Sequence, residues 1–464
     1  MRKDVRFVGG LLCAFAAVFC SKISSAQQSS SVDDWKAEYA ARIKSTLEQR
    51  AKQKPSFAED VLTSHPDFIV YIPKVEPEVL GDCYNDHFQV FDGPDGVLFA
   101  TTCQATCEGA LDQHVTLFRS DDKGKTWSAP KVLVGPKTFD SNAPIASWGF
   151  AMVSRSGRIY IIYNQYQEGK VSTNRQHTGL MSGIYSDDLG ETWSEPQLIP
   201  QPRTSNDSTD ETIPPEWVVW QRPLRLAEDG KYLVGVTRYA APHLHSKYRT
   251  VTEFIRFENI DDDPEPKDLV AKWFMTDERV LRKETYCEEP GIVKLPDGRL
   301  FAMLRTGSGY PCWTVSEDQG ETWTQPEILR NRDGGEPFLH PLSPCPIYDW
   351  KGETAGSGYY YAFVHNQFNF DDSSPWQNRG PLYLIAGTYQ ADAEQPIWFG
   401  EPQLFIDRPS GNSFYTSTTQ IDGKAVLWYP DQKFYLLGRY IDDSWFQNAP
   451  SPSFSNAVKQ ESDL

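Results

Sequence analysis

From about residue 76 to 445 the chain alternates short apolar runs with turns rich in Gly, Asp and Pro, and no helical period survives across that span. Such runs are β-strands joined by hairpins. Ahead of them, residues 31 to 52 read differently. Trp35, Tyr39, Ile43 and Leu47 fall four apart, Ser31 can cap the N-terminus, and acids occupy the first turn. One amphipathic helix docked on the β-domain is expected there, with 27–75 as helix and linker. After about 445 the chain turns polar and rich in Pro and Ser, and 446–464 is expected to be an unstructured tail.

Two periodicities organise the β region. "SDDKGKTWSAP" at 120 returns as "SDDLGETWSEP" at 186 and as "SEDQGETWTQP" at 316, and "IWFGEPQLF" around Trp398 keeps the following strand but not the turn. In each copy an Asp can accept from backbone amides just ahead, a Gly can take positive φ, and a Trp can fold into a core. The second periodicity is an apolar strand that begins near "NDHFQVF" (85), "SWGFAMV" (147), "WQRPLRL" (220), "EEPGIVKL" (288), "SPCPIYDW" (343) and "FYTSTTQI" (414). A spacing of about 55 to 75 residues suits a four-stranded blade with variable loops. Six units predict an all-β, six-bladed β-propeller over 76–445. Its innermost strands start around one axis, so the residues at their beginnings converge on one face. The Ser-x-Asp turns then belong to outer hairpins and are structural.

Composition narrows the partners. A formal net charge of −18 and a pI near 4.9 over 464 residues disfavour nucleic acid and anionic membranes, so an anionic substrate needs a local Arg cluster. The N-terminus "MRKDVRFVGGLLCAFAAVFCSKISSAQQ" has basic residues, an apolar run and small residues up to Ala26. That is the pattern of a cleaved signal peptide, 1–26, which predicts a secreted or periplasmic protein; the run is too short to anchor it in a membrane. Of the 8 Cys, those at 83, 103, 107, 287, 312 and 345 lie beyond this leader, where they can pack or form disulfides. No zinc-finger or Ca²⁺-loop spacing occurs, and no metal or cofactor is expected. A monomer is expected.

The repeated box within six units resembles the Asp-box (BNR) repeat of the sialidase, or neuraminidase, superfamily, over about residues 80 to 440. The resemblance implies an exo-acting, retaining glycoside hydrolase that cleaves terminal sialic acid or a related acidic sugar from a glycan. It further implies an Arg triad for the sugar carboxylate, an Asp acid/base, and a Tyr nucleophile paired with a Glu. "EEPGIVKLPDGRLFAMLR" is similar to the family's Glu-strand-Arg segment and carries Glu289 and Arg305; "NRGPLYLI" carries Arg379; "GNSFYTSTTQI" carries Tyr415. Where the family has its first Arg, this chain has "YNDHFQVF", with Asp86 or His87. The acid/base loop "CEGALDQHVTLFRSDD" offers Asp112, with Glu108 as the alternative.

The chemistry of these residue types is coherent. A phenol titrates near 10, so Tyr415 needs a carboxylate such as Glu289 to take its proton. A neutral nucleophile suits a sugar whose carboxylate would repel an anionic one. Arg305 and Arg379 can clamp that carboxylate through their planar guanidinium forks. Arg222 and Trp148, at equivalent strand beginnings, would suit a sugar ring or core packing, and Asp86 with His87 can form an acid/base pair of their own or simply bond the strand. Two other readings stay open: a polysaccharide lyase acting on uronates, with His87 or Tyr415 as the base, and a carbohydrate-binding propeller without catalysis.

Overall fold

A computed structural model describes residues 32–76, 81–137, 143–167, 176–226, 230–241, 247–350, 357–411 and 414–454, of which 32–40 by backbone alone. The leader expected at 1–26 lies outside them. Six antiparallel sheets form the blades of a propeller, five of them meanders that run outward in chain order. The innermost strands are Tyr84–Asp92, Ala146–Val153, the interrupted pair Trp217–Val218 and Leu224–Arg225, Cys287–Lys294, Ile347–Asp349 and Ser417–Ile421. All six fall at the predicted beginnings. Tyr84–Asp92 is buried at every position except Asp92, because an inner strand has a blade on each side and cannot show the half-polar alternation of a surface strand.

Apolar clusters fill the spaces between blades rather than within them. One joins Phe150, Met152 and Tyr160 of the second blade to Val234, Val236 and Ile255 of the third. Another joins Phe301 and Met303 of the fourth to Tyr360, Ala362 and Ile385 of the fifth.

The ring closes with a strand from the wrong end of the chain. Phe68–Tyr71 pairs antiparallel with Tyr435–Ile441, Phe68 opposite Gly438, and supplies the outer strand of the sixth blade. The expectation of a linker up to 75 and a propeller starting at 76 is corrected here. Four residues with Ile69 exposed between buried Phe68 and Val70 are too short a run to read as a strand in isolation.

Helix α1 (Val32–Gln53) and the short α2 (Phe57–Leu62) precede that strand. Ile43 packs against Tyr84, Ala105 and Ala110, Leu47 against a cluster spanning the fifth and sixth blades, and Phe57 lies edge-on to Phe434 at 4.9 Å. The side chains of Trp35 and Tyr39 lie outside the described residues. The start of the polar tail is also docked, contrary to expectation: Phe446 stacks on Trp350 at 3.9 Å, and Ser453 exchanges backbone hydrogen bonds with Ala391 and Tyr389.

The three Ser-Asp-Gly-Thr-Trp turns link the third and fourth strands of their blades. In each, the Asp accepts from the Thr amide at 2.8 Å, the Ser hydroxyl accepts from the Gly amide, and the Trp indole donates to the Gly carbonyl at 3.0 Å. Each turn also reaches the preceding blade. Trp127 lies edge-on to Trp428, Trp193 packs among Phe91, Phe99 and Leu117, and Trp323 stacks on Phe254 with centroids 4.3 Å apart. The boxes are therefore staples between neighbouring blades. Cys83, Cys103, Cys287, Cys312 and Cys345 are buried and not joined to one another, so they pack rather than cross-link. No described helix is long and apolar enough to cross a membrane.

Candidate active site

Three inner strands share one irregularity near their beginnings. The register shifts between Asp86 and Gln89, between Ser147 and Phe150, and between Glu288 and Gly291. Within these bulges His87, Trp148 and Glu289 adopt φ of 53°, 58° and 49°. Left-handed backbone is costly for such side chains, by about 1–3 kcal/mol each, and persists only where the surroundings hold it. Two of the holds are visible. The Glu289 amide donates to Thr237 Oγ1 at 2.7 Å, and the Trp148 amide donates to Cys103 Sγ at 2.9 Å, each partner sitting on the second strand of the preceding blade. The bulges bring their side chains together with Tyr415, two residues before the sixth blade's inner strand.

Tyr415, Glu289 and Arg305 form a closed triangle. The phenol donates to Glu289 Oε1 at 2.9 Å, and Arg305 Nη1 donates to Glu289 Oε2 at 2.7 Å and to the phenol oxygen at 3.0 Å. All three side chains are buried. Burial, then the Glu289 charge, pushes the Tyr415 phenol well above 10, so it rests protonated. Glu288 faces the other side of Arg305 at 3.1 Å, an ion pair without the alignment of a hydrogen bond; burial and the adjacent Glu289 raise its carboxyl although Arg305 opposes them.

The first-blade side is built around a lysine that sequence reasoning missed. Lys433, in the turn after the sixth blade's second strand, lies 2.8 Å from Asp86 and 3.3 Å from Glu108, with its ammonium 5.1 Å from the Tyr415 ring centre. It puts a cation beside the position where the first Arg is absent. Its only sequence signal is "DQKF", an ordinary turn. Asp86 also accepts from Tyr84 Oη and from the His87 amide, and burial raises its carboxyl despite Lys433. Asp86 and His87 are close but not hydrogen-bonded side chain to side chain: His87 Nδ1 lies 3.9 Å from the Asp86 carboxylate, and neither ring nitrogen has a hydrogen-bond partner among the described residues. His87 stacks on Tyr415 at 4.8 Å and meets Trp148 at 4.0 Å. Burial, then Lys433 and His177, hold its imidazole well below 6.5 and therefore neutral.

Of the two loop acids, Glu108 is the one that faces this cluster. Burial would raise its carboxyl, but Lys433 and Arg379 outweigh that and hold it below the usual range. Asp112 instead locks its own loop, accepting from the Thr106 amide at 3.0 Å and the Thr106 hydroxyl at 2.6 Å, against Gly81. In so short a loop, spacing alone cannot tell which carboxylate points inward.

Arg379 and Arg305 flank one exposed ring, Trp376, with guanidinium carbons 5.7 and 5.2 Å from its centre. Arg379 donates to the Leu342 carbonyl at 2.8 Å, and burial together with Arg305 lowers its pKa. Two like charges at one place favour an anion between them. Arg222 is not part of this site. It approaches Asp92, at the far end of the first inner strand, at 4.0 Å. The third blade's broken inner strand carries Trp220, not Arg222, to the axis, where it lies edge-on to Tyr415 at 5.9 Å. Among the described residues, no group of three His, Cys, Asp or Glu is placed to hold a metal ion.

A family model described as a BNR repeat-like domain matches residues 93–424. Among solved structures, the NanB sialidase from Streptococcus pneumoniae superposes with a TM-score of 0.57 at 11% identity, over 82% of this chain and 71% of its own. The intramolecular trans-sialidase from Ruminococcus gnavus gives 0.57 at 13% identity, over 81% of this chain and 97% of its own. The Hadza microbial sialidase Hz136 gives 0.56 at 14% identity over 78% of this chain, which spans 66% of that longer protein. No curated protein sequence matches the chain. At these identities the likeness is one of fold.

Proposed function

Because this chain belongs to the BNR repeat-like family and has a sialidase-like propeller fold, we propose that it is an exported, exo-acting glycoside hydrolase that releases a terminal acidic sugar, sialic acid or a relative, from glycans. The observation that carries this reading is the 2.9 Å hydrogen bond from Tyr415 to Glu289, with Arg305 bonded to both. In the first half-reaction the Tyr415 oxygen attacks the anomeric carbon while its proton passes to Glu289. The glycosidic bond breaks as Glu108 protonates the leaving oxygen. In the second half, Glu108 takes a proton from water, the resulting hydroxide displaces the tyrosine, and Glu289 returns the proton to it.

Arg379, Arg305 and Lys433 hold the sugar's carboxylate. That added negative charge also offsets Lys433 and lifts the Glu108 carboxyl toward the protonated form a general acid needs. Trp148 and the neutral His87, packed between Trp148 and Tyr415, form the apolar backing of the sugar's site.

Release of free sugar from sialosides, uronate-containing oligosaccharides and neutral arabinosides tests this, with wild type compared to Tyr415→Phe and Glu289→Gln. Release of an acidic monosaccharide that both variants lose supports the hydrolase. An unsaturated uronate product replaces it with a lyase, and glycan binding without cleavage replaces it with a recognition protein.

A further inference from the structure

Beyond the pocket, a row of partly exposed rings runs outward from its arginines. Trp376 is 44% exposed and sits on the loop between the second and third strands of the fifth blade. Tyr286, in the connection into the fourth blade, lies edge-on to it at 6.0 Å. On the neighbouring 307–311 loop, Tyr310 is 5.5 Å from Phe370, which is 57% exposed, and Phe370 meets Phe368 at 4.9 Å. Gly309 turns that loop at φ 88°, and a Cβ there would come within 2.9 Å of both phenylalanines. Only glycine lets the rings close over the turn.

Cations continue where the rings lead. The Arg249 amide donates to the Thr285 carbonyl at 2.7 Å, which sets residues 247–249 beside Tyr286. Lys247 and Arg282 flank the Tyr248 ring at 5.0 and 5.3 Å from its centre. Residues 247–249 and 277–284 hold five cations, Lys247, Arg249, Arg279, Arg282 and Lys283, against three acids, Asp277, Glu278 and Glu284. Arg279 is paired with Asp277. Among the described residues the other four have no carboxylate within ion-pair distance; Arg282 donates to the backbone carbonyl of Glu278 at 2.8 Å. In a chain of net charge −18 this is a local inversion of sign, on the same face as the pocket.

We infer that this row of rings and cations is a binding site for the leaving-group side of an acidic oligosaccharide, one whose further sugars carry carboxylate or sulfate groups. The inference rests on the hydrolase reading for the direction in which the glycan runs. Trp376 and Tyr286 offer flat faces to pyranose rings next to the scissile bond, while Arg249, Arg282 and Lys247 pair with anionic substituents further out. The natural substrate is then an acidic chain trimmed from its end, not a short neutral glycan with a single acidic cap.

The test measures binding to the full-length chain carrying Tyr415→Phe, so that turnover does not interfere. The probes are a galacturonate hexasaccharide, a chondroitin sulfate hexasaccharide and cellohexaose. An acidic probe is expected to bind more weakly as salt rises, and to lose about tenfold or more in affinity when Arg249→Glu and Arg282→Glu are added. Cellohexaose should not bind. Binding of the galacturonate probe shows that carboxylates suffice, and binding of chondroitin sulfate alone, which carries both groups, shows that sulfate is required. Equal binding of acidic and neutral probes, no binding of either acidic probe, or indifference to the charge reversals overturns the proposal. Separately, the two reversals in the otherwise wild-type enzyme should leave hydrolysis of a small aryl glycoside unchanged. If no aryl glycoside of an acidic sugar is cleaved at all, the hydrolase reading fails while the binding arm still decides this one.

Discussion

The Tyr415 phenol donates to the Glu289 carboxylate at 2.9 Å, although 126 residues and two blade boundaries separate them. The contact exists because Tyr415 stands two residues before the sixth inner strand and a bulge turns Glu289 out of its own strand toward the same axis. If the carboxylate takes the phenolic proton during attack, removing either partner disables one event. Tyr415→Phe and Glu289→Gln should each lower kcat by about 10²- to 10⁴-fold, and the double variant should lose little more than the worse single one. Additive losses would mean that the two residues act separately.

Glu108 and Asp112 should separate cleanly by what their loss affects. Glu108→Gln is expected to slow release from poor leaving groups by about 10²-fold or more and to spare activated aryl glycosides in the first half-reaction, with little change in melting temperature. Asp112→Ala strands the Thr106 amide and hydroxyl, and should cost about 1–3 kcal/mol of stability with kcat per folded molecule unchanged. The reverse pattern would restore Asp112 as the acid/base.

Thr237 is a positioning residue, since its hydroxyl holds the strained Glu289 amide without reaching the sugar. Thr237→Val should lower kcat more than it raises KM, and Thr237→Ser should rescue kcat. Equal behaviour of the two variants would reduce Thr237 to packing.

The pH behaviour of His87 has a definite sign. Its folded pKa lies below 6.5, so its contribution to stability is complete above 6.5 and is lost as pH falls toward the folded value. His87→Gln should therefore show a smaller drop in melting temperature than wild type between neutral and acidic pH. It should also leave the pH–rate profile without any limb moved from the region of 6.5. A lost limb would make His87 a proton carrier after all.

Trp323 tests the stapling role of the turns. Trp323→Ala opens the stack on Phe254 and should cost about 3–5 kcal/mol, read by denaturant unfolding, while KM and kcat stay as in wild type.

The sequence was most informative where chemistry sits on a repeat. The resemblance of their segments to the sialidase family singled out Glu289, Arg305 and Tyr415, and the blade repeat explains why they meet, since they stand at or near the axial ends of inner or second strands. The count failed for Arg222, because the third inner strand breaks between Val218 and Leu224 and the register along it is lost. Lys433 was illegible for a different reason. It enters the site from a turn whose composition is that of any surface turn, and only the closure of the ring places that turn beside Asp86 and Glu108. The bulges at His87, Trp148 and Glu289 were likewise silent, since nothing local marks a Trp or a Glu for left-handed backbone.

The pairing of Phe68–Tyr71 with Tyr435–Ile441 also imposes an order in time. During synthesis the strand at residue 68 emerges long before its partner exists, so five blades can assemble while the sixth has its outer strand but none of the three strands that strand must join. Until then Lys433 and Tyr415 are missing from the axis, and the incomplete chain can neither hold an acidic sugar nor act on one. A strand made more than three hundred residues ahead of its partner is thus among the last to be used.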